Sequence, residues 1–107
     1  MRRVILESPF RGATAHEQER NERYLKLAML DSLRRGESPL ASHRLWPGIL
    51  NDNDPEERAL GIEAGLAWGV VAEATVVYGD LGISPGMEQG MRRAVSEGRP
   101  VEMRTIG

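Results

Sequence analysis

Four short apolar segments of β character alternate with three helical ones, and that alternation constrains the fold more than any other feature of the chain. Val4-Ile5-Leu6 is a compact apolar run closed by Ser8-Pro9 and reads as a buried first strand. A helix is expected over roughly Glu17 to Arg35. Its apolar residues Tyr24, Leu27, Leu30 and Leu33 recur at helical spacing, and Gly36 stands where a glycine cap belongs. Pro39 to His43 is a weaker second strand that the pattern requires, and Trp46 to Asn53 is a turn-rich loop. Asp54, Pro55 and Glu57 have the order of a capping box with proline at the first helical position, so a second helix should run from Asp54 to Val71. Ala74-Thr75-Val76-Val77-Tyr78 is the clearest strand, bounded by Gly79-Asp80. A third helix from about Pro85 to Glu97 stops at Gly98-Arg99-Pro100, and Val101 to Thr105 makes the last strand.

Strands this short and apolar, separated by helices, imply a parallel sheet covered on both faces. Right-handed crossovers leave 2-1-3-4 as the favoured strand order. Ligands of such sheets bind at the carboxyl ends of the strands where the order reverses, here between the first and third strands. The loop from Ser8 to Gly12 and the turn from Gly79 to Glu88 should therefore wall any site.

Composition narrows the function. Lys plus Arg number 14 and Asp plus Glu 16, a net charge of −2, which argues against a nucleic-acid binder. The charge is uneven: residues 36–80 carry 2 basic and 8 acidic side chains, whereas residues 1–35 carry 8 basic and 5 acidic. With no cysteine, disulfides, thiolate zinc sites and a cysteine nucleophile are excluded. The longest uncharged apolar run, Ala64 to Ala72, falls well short of the ~20 residues that cross a bilayer. Met1-Arg2-Arg3 leads straight into the first strand without a secretion-signal pattern, so no membrane association and a cytoplasmic location are expected.

The turn from Gly79 to Glu88 is the most informative segment. A helix N-terminus with exposed amides, the Ser84 hydroxyl and several glycines suits an anion such as phosphate, and equally suits an ordinary capped turn. Gly82-x-Ser84-x-Gly86 also has nucleophile-elbow spacing, but His16 and His43 both precede the serine, so a serine hydrolase is rejected.

The same turn resembles the nucleoside 2-deoxyribosyltransferase family and its relatives, the nucleoside monophosphate N-glycosidases. Asp80, Gly86-Met87-Glu88 and Ala94 are similar to that family's Asp, its Gly-Met-Glu turn and its later alanine, and Ser8-Pro9-Phe10 is similar to its Ala-Pro-Phe. Asn21 and Tyr24, the Pro39 to His43 strand and the Asp54 to Arg58 helix start look closer still to an uncharacterised phage and bacterial branch. The resemblance covers nearly the whole chain, though only the third-helix turn is specific. It implies a flavodoxin-like three-layer sandwich and a nucleoside or nucleotide as ligand; the length of 107 residues gives one domain over residues 1–107, and no cofactor or metal is expected. It further implies that Glu88 attacks the anomeric carbon while Asp80 protonates the departing base, giving a hydrolase with water or a transferase with a second base. The alternative is a catalytically silent nucleotide-binding protein. Ser8, Pro9, Phe10, Arg11, His43, Gly79, Gly82, Ser84, Gly86 and Met87 would contact the ligand.

The two ends of the resemblance disagree by two residues. Counted forward from Gly86-Met87 the glutamate falls on Glu88; counted back from Ala94 and Gly98 it falls on Gly90. Residues 86, 90 and 94 share one helix face, and 88 lies about 200° from 90. A helix starting near Glu88 would aim its carboxylate beside Asp80, which is the arrangement expected here; a helix starting at Pro85 would turn Glu88 away and leave a binder.

Other residues carry weaker expectations. His43 can face the site or serve as a structural residue, and His16 with Glu17 and Glu19 lacks metal-ligand spacing. Arg11 and Arg58 can neutralise a phosphate or pair on the surface, and Trp46 can stack on a base. Gly61, Gly65 and Gly69, each costing a helix about 1 kcal/mol against alanine, suggest close approach to the sheet or to a second subunit. With Trp68 nearby, a homo-oligomer packed through the second helix is expected.

Overall fold

A computed structural model describes residues 1–107. The elements are β1 (Arg2–Glu7), α1 (Ala15–Arg34), β2 (Glu37–Leu40), α2 (Pro55–Leu66), β3 (Ala74–Tyr78), α3 (Pro85–Ser96) and β4 (Val101–Arg104). A single 3-10 turn at Ser42–Arg44 follows β2, and a 3-10 segment at Ala67–Val71 extends α2. All pairings are parallel and the order is β2-β1-β3-β4, as the alternation predicts.

The strands alternate their side chains between two covers. Val4 and Leu6 of β1 and Ala74, Val76 and Tyr78 of β3 pack with Tyr24, Leu25 and Ala28 of α1 in the main core. The alternate positions, Ile5, Glu7, Thr75 and Val77, turn to the opposite face under α3 and the end of α2. One of these four is a carboxylic acid, Glu7, at the carboxyl end of β1, an inner strand.

Helix starts follow the local chemistry. Thr14 caps α1 by accepting from the Glu17 amide at 3.1 Å, and Ser84 caps α3 by accepting from Met87 N at 3.2 Å. Asp54 caps α2 through the Glu56 amide at 2.9 Å, while Glu57 accepts from Asn51 N at 3.3 Å, so the expected capping box does not close. Gly36 and Gly98, at φ +83° and +72°, let the chain reverse after α1 and α3.

Three expectations are corrected. The second strand is Glu37–Leu40, because Arg2 to Ile5 pair with those four residues, and Ser42–Arg44 curl into the 3-10 turn instead. The α-helical part of α2 ends at Leu66. The buried face of α1 is Asn21, Tyr24, Leu25, Ala28 and Ser32, leaving Leu27, Leu30 and Leu33 exposed. Polar Asn21 and Ser32 go inside because each finds a partner there: Asn21 holds the Phe10 and Arg11 carbonyls, and Ser32 donates to Glu37 at 2.8 Å.

Beside α1, the buried guanidinium of Arg104 binds both oxygens of Glu37 at 2.7 Å each and reaches Glu102 at 3.0 Å. This pairing pulls the Glu37 carboxyl down to about 2. No helix is long and apolar enough to cross a membrane.

Candidate functional site

A cleft of about 540 Å³ opens where β1 and β3 end, at the point of strand-order reversal. Its walls come from the loop after β1, the Ser42–Arg44 turn and the loop behind it, α2, and the first turns of α3.

The loop after β1 is held rather than free. The Asn21 amide donates to the carbonyls of Phe10 and Arg11 at 3.4 and 3.2 Å, tying it to α1. The Phe10 ring then meets His43 edge-on, with centroids 5.4 Å apart, and the Arg44 guanidinium lies over the Phe10 ring, 5.9 Å from its centroid. His43 Nε2 lies 3.3 Å from the Ser8 hydroxyl, and burial beside Arg44 drops the imidazole to about 4, so it is neutral near pH 7.

Two buried polar atoms in the protein lack any hydrogen-bond partner: His43 Nδ1 and Trp46 Nε1. Both belong to side chains that line the cleft. Both atoms are shielded from solvent, so leaving them unmet costs the fold free energy. Around the mouth stand Arg11, Arg58 and Arg92. Arg11 is tied to Asp52, donating to its carbonyl at 3.2 Å, and Arg92 approaches only exposed Glu88, at 3.8 Å. Arg58 forms no ion pair.

The glycines of α2 answer the question of close approach. A Cβ on Gly65 would press on Ser42 at 3.1 Å from its carbonyl, and one on Gly61 would meet Leu50 at 3.0 Å. Gly69 admits the buried Arg99 guanidinium, which donates to the Gly69 carbonyl at 2.6 Å and to Thr75 at 3.0 Å. These glycines serve the chain's own packing around the cleft.

Of the residues singled out from the sequence, Ser8, Phe10, Arg11, His43, Ser84, Gly86 and Met87 line the cleft. Pro9, Gly79 and Gly82 do not. Asp80 is turned elsewhere: it accepts from the Tyr24 hydroxyl and from the amides of Ile106 and Gly107, which hold its carboxyl below the ordinary range. An ionised, fully engaged carboxylate has no proton to give. The expectation for the start of α3 is also corrected. Pro85 is its first residue, because Ser84 caps it from both sides, accepting from Met87 N and donating to Met87 Sδ at 3.4 Å. Glu88 therefore lies outside the cleft, its side chain 56% exposed beside Arg92, while Gly90 is buried.

The sequence reading missed Glu7. It lines the cleft at 6% exposure, and burial pushes its carboxyl up to about 8 even though Arg99 opposes the shift. The available clue was an acid directly after the apolar run Val4-Ile5-Leu6, in a strand whose two faces are both covered.

A parallel 2-1-3-4 sheet with flanking helices and a cleft at its reversal point is the nucleoside deoxyribosyltransferase fold. The chain superimposes on a 2-deoxyribosyltransferase from the psychrotolerant bacterium Bacillus psychrosaccharolyticus with a TM-score of 0.68 and 18% identity, covering 96% of this chain and 72% of that one. A CMP N-glycosidase from Clostridium botulinum matches with a TM-score of 0.54 and 14% identity over 97% and 69% of the two chains. No curated protein matches the chain. Within this fold, the protein belongs to the family described as Domain of unknown function (DUF7768), whose model matches residues 2–104.

Proposed function

We propose that the cleft binds a nucleoside or nucleotide and that the protein cleaves its N-glycosidic bond or exchanges its base. The observation that carries this reading is a cleft at the strand-order reversal that sets the rings of Phe10, His43 and Trp46 around a buried carboxyl group, that of Glu7. A planar, heteroatom-rich base packs against such rings and offers a polar edge to the carboxyl group, which a purely apolar ligand does not. The arginines at the mouth favour a monophosphate over the parent nucleoside, with Ser84 and the first amides of α3 adding donors. The fold shared with proteins that act on 2-deoxyribosyl groups and on CMP supports the same ligand class.

Incubating the protein with a panel of deoxynucleosides and nucleoside monophosphates, with and without a second base, should release or exchange free base. Binding without release would leave the second reading, a catalytically silent nucleotide-binding protein, which the outward placement of Glu88 favours. Arg58→Ala should weaken monophosphate binding about tenfold and nucleoside binding far less. Equal affinity of the unaltered protein for both would remove phosphate recognition from the reading.

A further inference from the structure

We propose that Glu7, on β1, is the catalytic acid of this cleft, giving its proton to the base as the glycosidic bond breaks. The assignment rests on the reading of the cleft as a nucleoside or nucleotide site, and it deepens that reading by naming the group that does the chemistry.

Position comes first. Glu7 ends β1, one of the two inner strands, at the reversal point, and its carboxyl group lines the cleft. Asp52, the other acid of the lining, is more than half exposed and sits 3.8 Å from Arg11. Room for the Glu7 carboxyl is made by α3. A Cβ on Gly90 would lie 2.6 Å from Glu7 Cδ, so a glycine at this buried turn is what lets the side chain occupy its place. No protein group forms a hydrogen bond or ion pair with it, although Arg104, Arg99 and Arg93 each find acidic partners elsewhere. A carboxyl group built into a protein without a dedicated partner, in a cleft with room for a ligand, is placed for that ligand.

The charge state agrees. The charged group that acts on Glu7 is Arg99, after α3, while neutral His43, Arg11, Asp52, Arg58 of α2 and Arg92 of α3 share the same cleft lining. Burial outweighs the pull of Arg99, and the acid keeps its proton up to about pH 8. A carboxyl group that is protonated at neutral pH can donate where an ordinary carboxylate cannot.

The step balances without a second carboxylate. The C1′–N bond breaks and its electron pair goes to the base, which takes the Glu7 proton. Water adds its oxygen to the anomeric carbon and returns a proton to the Glu7 carboxylate. When a second base replaces the water, its nitrogen forms the new bond and its proton returns to Glu7 in the same way.

The test is a pH profile of base release together with two variants. In the unaltered protein, kcat/KM should fall as pH rises through about 8. Glu7→Gln should lower base release by at least ~100-fold, the usual scale of general acid catalysis, while the Kd for a nucleoside monophosphate at pH 6 stays within a few-fold. Gly90→Ala, which keeps the acid but displaces it, should reduce base release and leave the fold intact by circular dichroism. A profile that rises through pH 8, or full turnover by Glu7→Gln, overturns the assignment. If the unaltered protein releases no base at all, the glycosidic reading fails by itself, and Glu7 is judged by binding. Nucleotide affinity that weakens above pH 8 only when Glu7 is present supports its donation to the ligand; an affinity equally flat in both proteins overturns it.

Discussion

Replacing Glu7 by glutamine should stabilise the protein, and by an amount that grows with pH. In the unfolded chain this carboxyl ionises near 4.5; in the fold it holds its proton to about 8. Between those values the folded state binds more protons than the unfolded one, so stability is complete below pH 4.5 and is lost as pH rises through 8. At ~1.4 kcal/mol per pH unit, the loss is about 3 kcal/mol at pH 7 and approaches roughly 5 kcal/mol above pH 8. Glutamine has nearly the same shape and never ionises, so it should escape that penalty. Urea denaturation of the two proteins at pH 5, 7 and 9 measures the difference directly, and contributions from His43 or Glu37 cancel in the comparison. Curves that keep a constant separation across this range would refute the reasoning, since they would mean that Glu7 titrates alike folded and unfolded. A gain in stability at the expense of turnover is the mark of a buried functional group.

Glu88→Gln should leave base release and ligand affinity within a few-fold, because the side chain faces solvent beside Arg92; loss of turnover would return the chemistry to α3. Arg104→Met should cost up to ~3 kcal/mol, because buried Glu37 then keeps only Ser32 and the longer Arg2 contact, measured by chemical denaturation. Arg104 is the largest of the groups that make the unaltered protein lose stability as pH falls from 4.5 through about 2, a dependence Arg104→Met should weaken. We also expect at least a dimer packed through the outer side of α2 and the segment after it, where Leu60, Trp68, Val70 and Val71 are all exposed; sedimentation as a monomer at micromolar concentration would contradict this.

The layout of the sheet was legible in the chain because strand, helix and turn propensities act locally. Ala74 to Tyr78 is β-branched and apolar, Ser84-Pro85 is a helix start on its own chemistry, and right-handed crossovers leave one favoured order for the strands. That order also placed the cleft, and with it Ser8, Phe10, Arg11, His43 and Ser84. That the carboxyl group inside the cleft is Glu7 was settled only by tertiary packing, whereas the exclusion of Glu88 is local. Glu88 matched a motif, but the two-sided Ser84–Met87 cap starts α3 at Pro85 and rotates residue 88 into solvent. Likewise the leucines of α1 have helical spacing, yet Asn21 and Ser32 take the inner face because the Phe10–Arg11 loop and Glu37 supply their partners. Glu7 owes its place to Gly90, a residue 83 positions away in the chain, and its proton to the apolar layers that close over it. Local propensity depends on neighbours in sequence, whereas burial, and the ionisation state that burial sets, depends on neighbours in space.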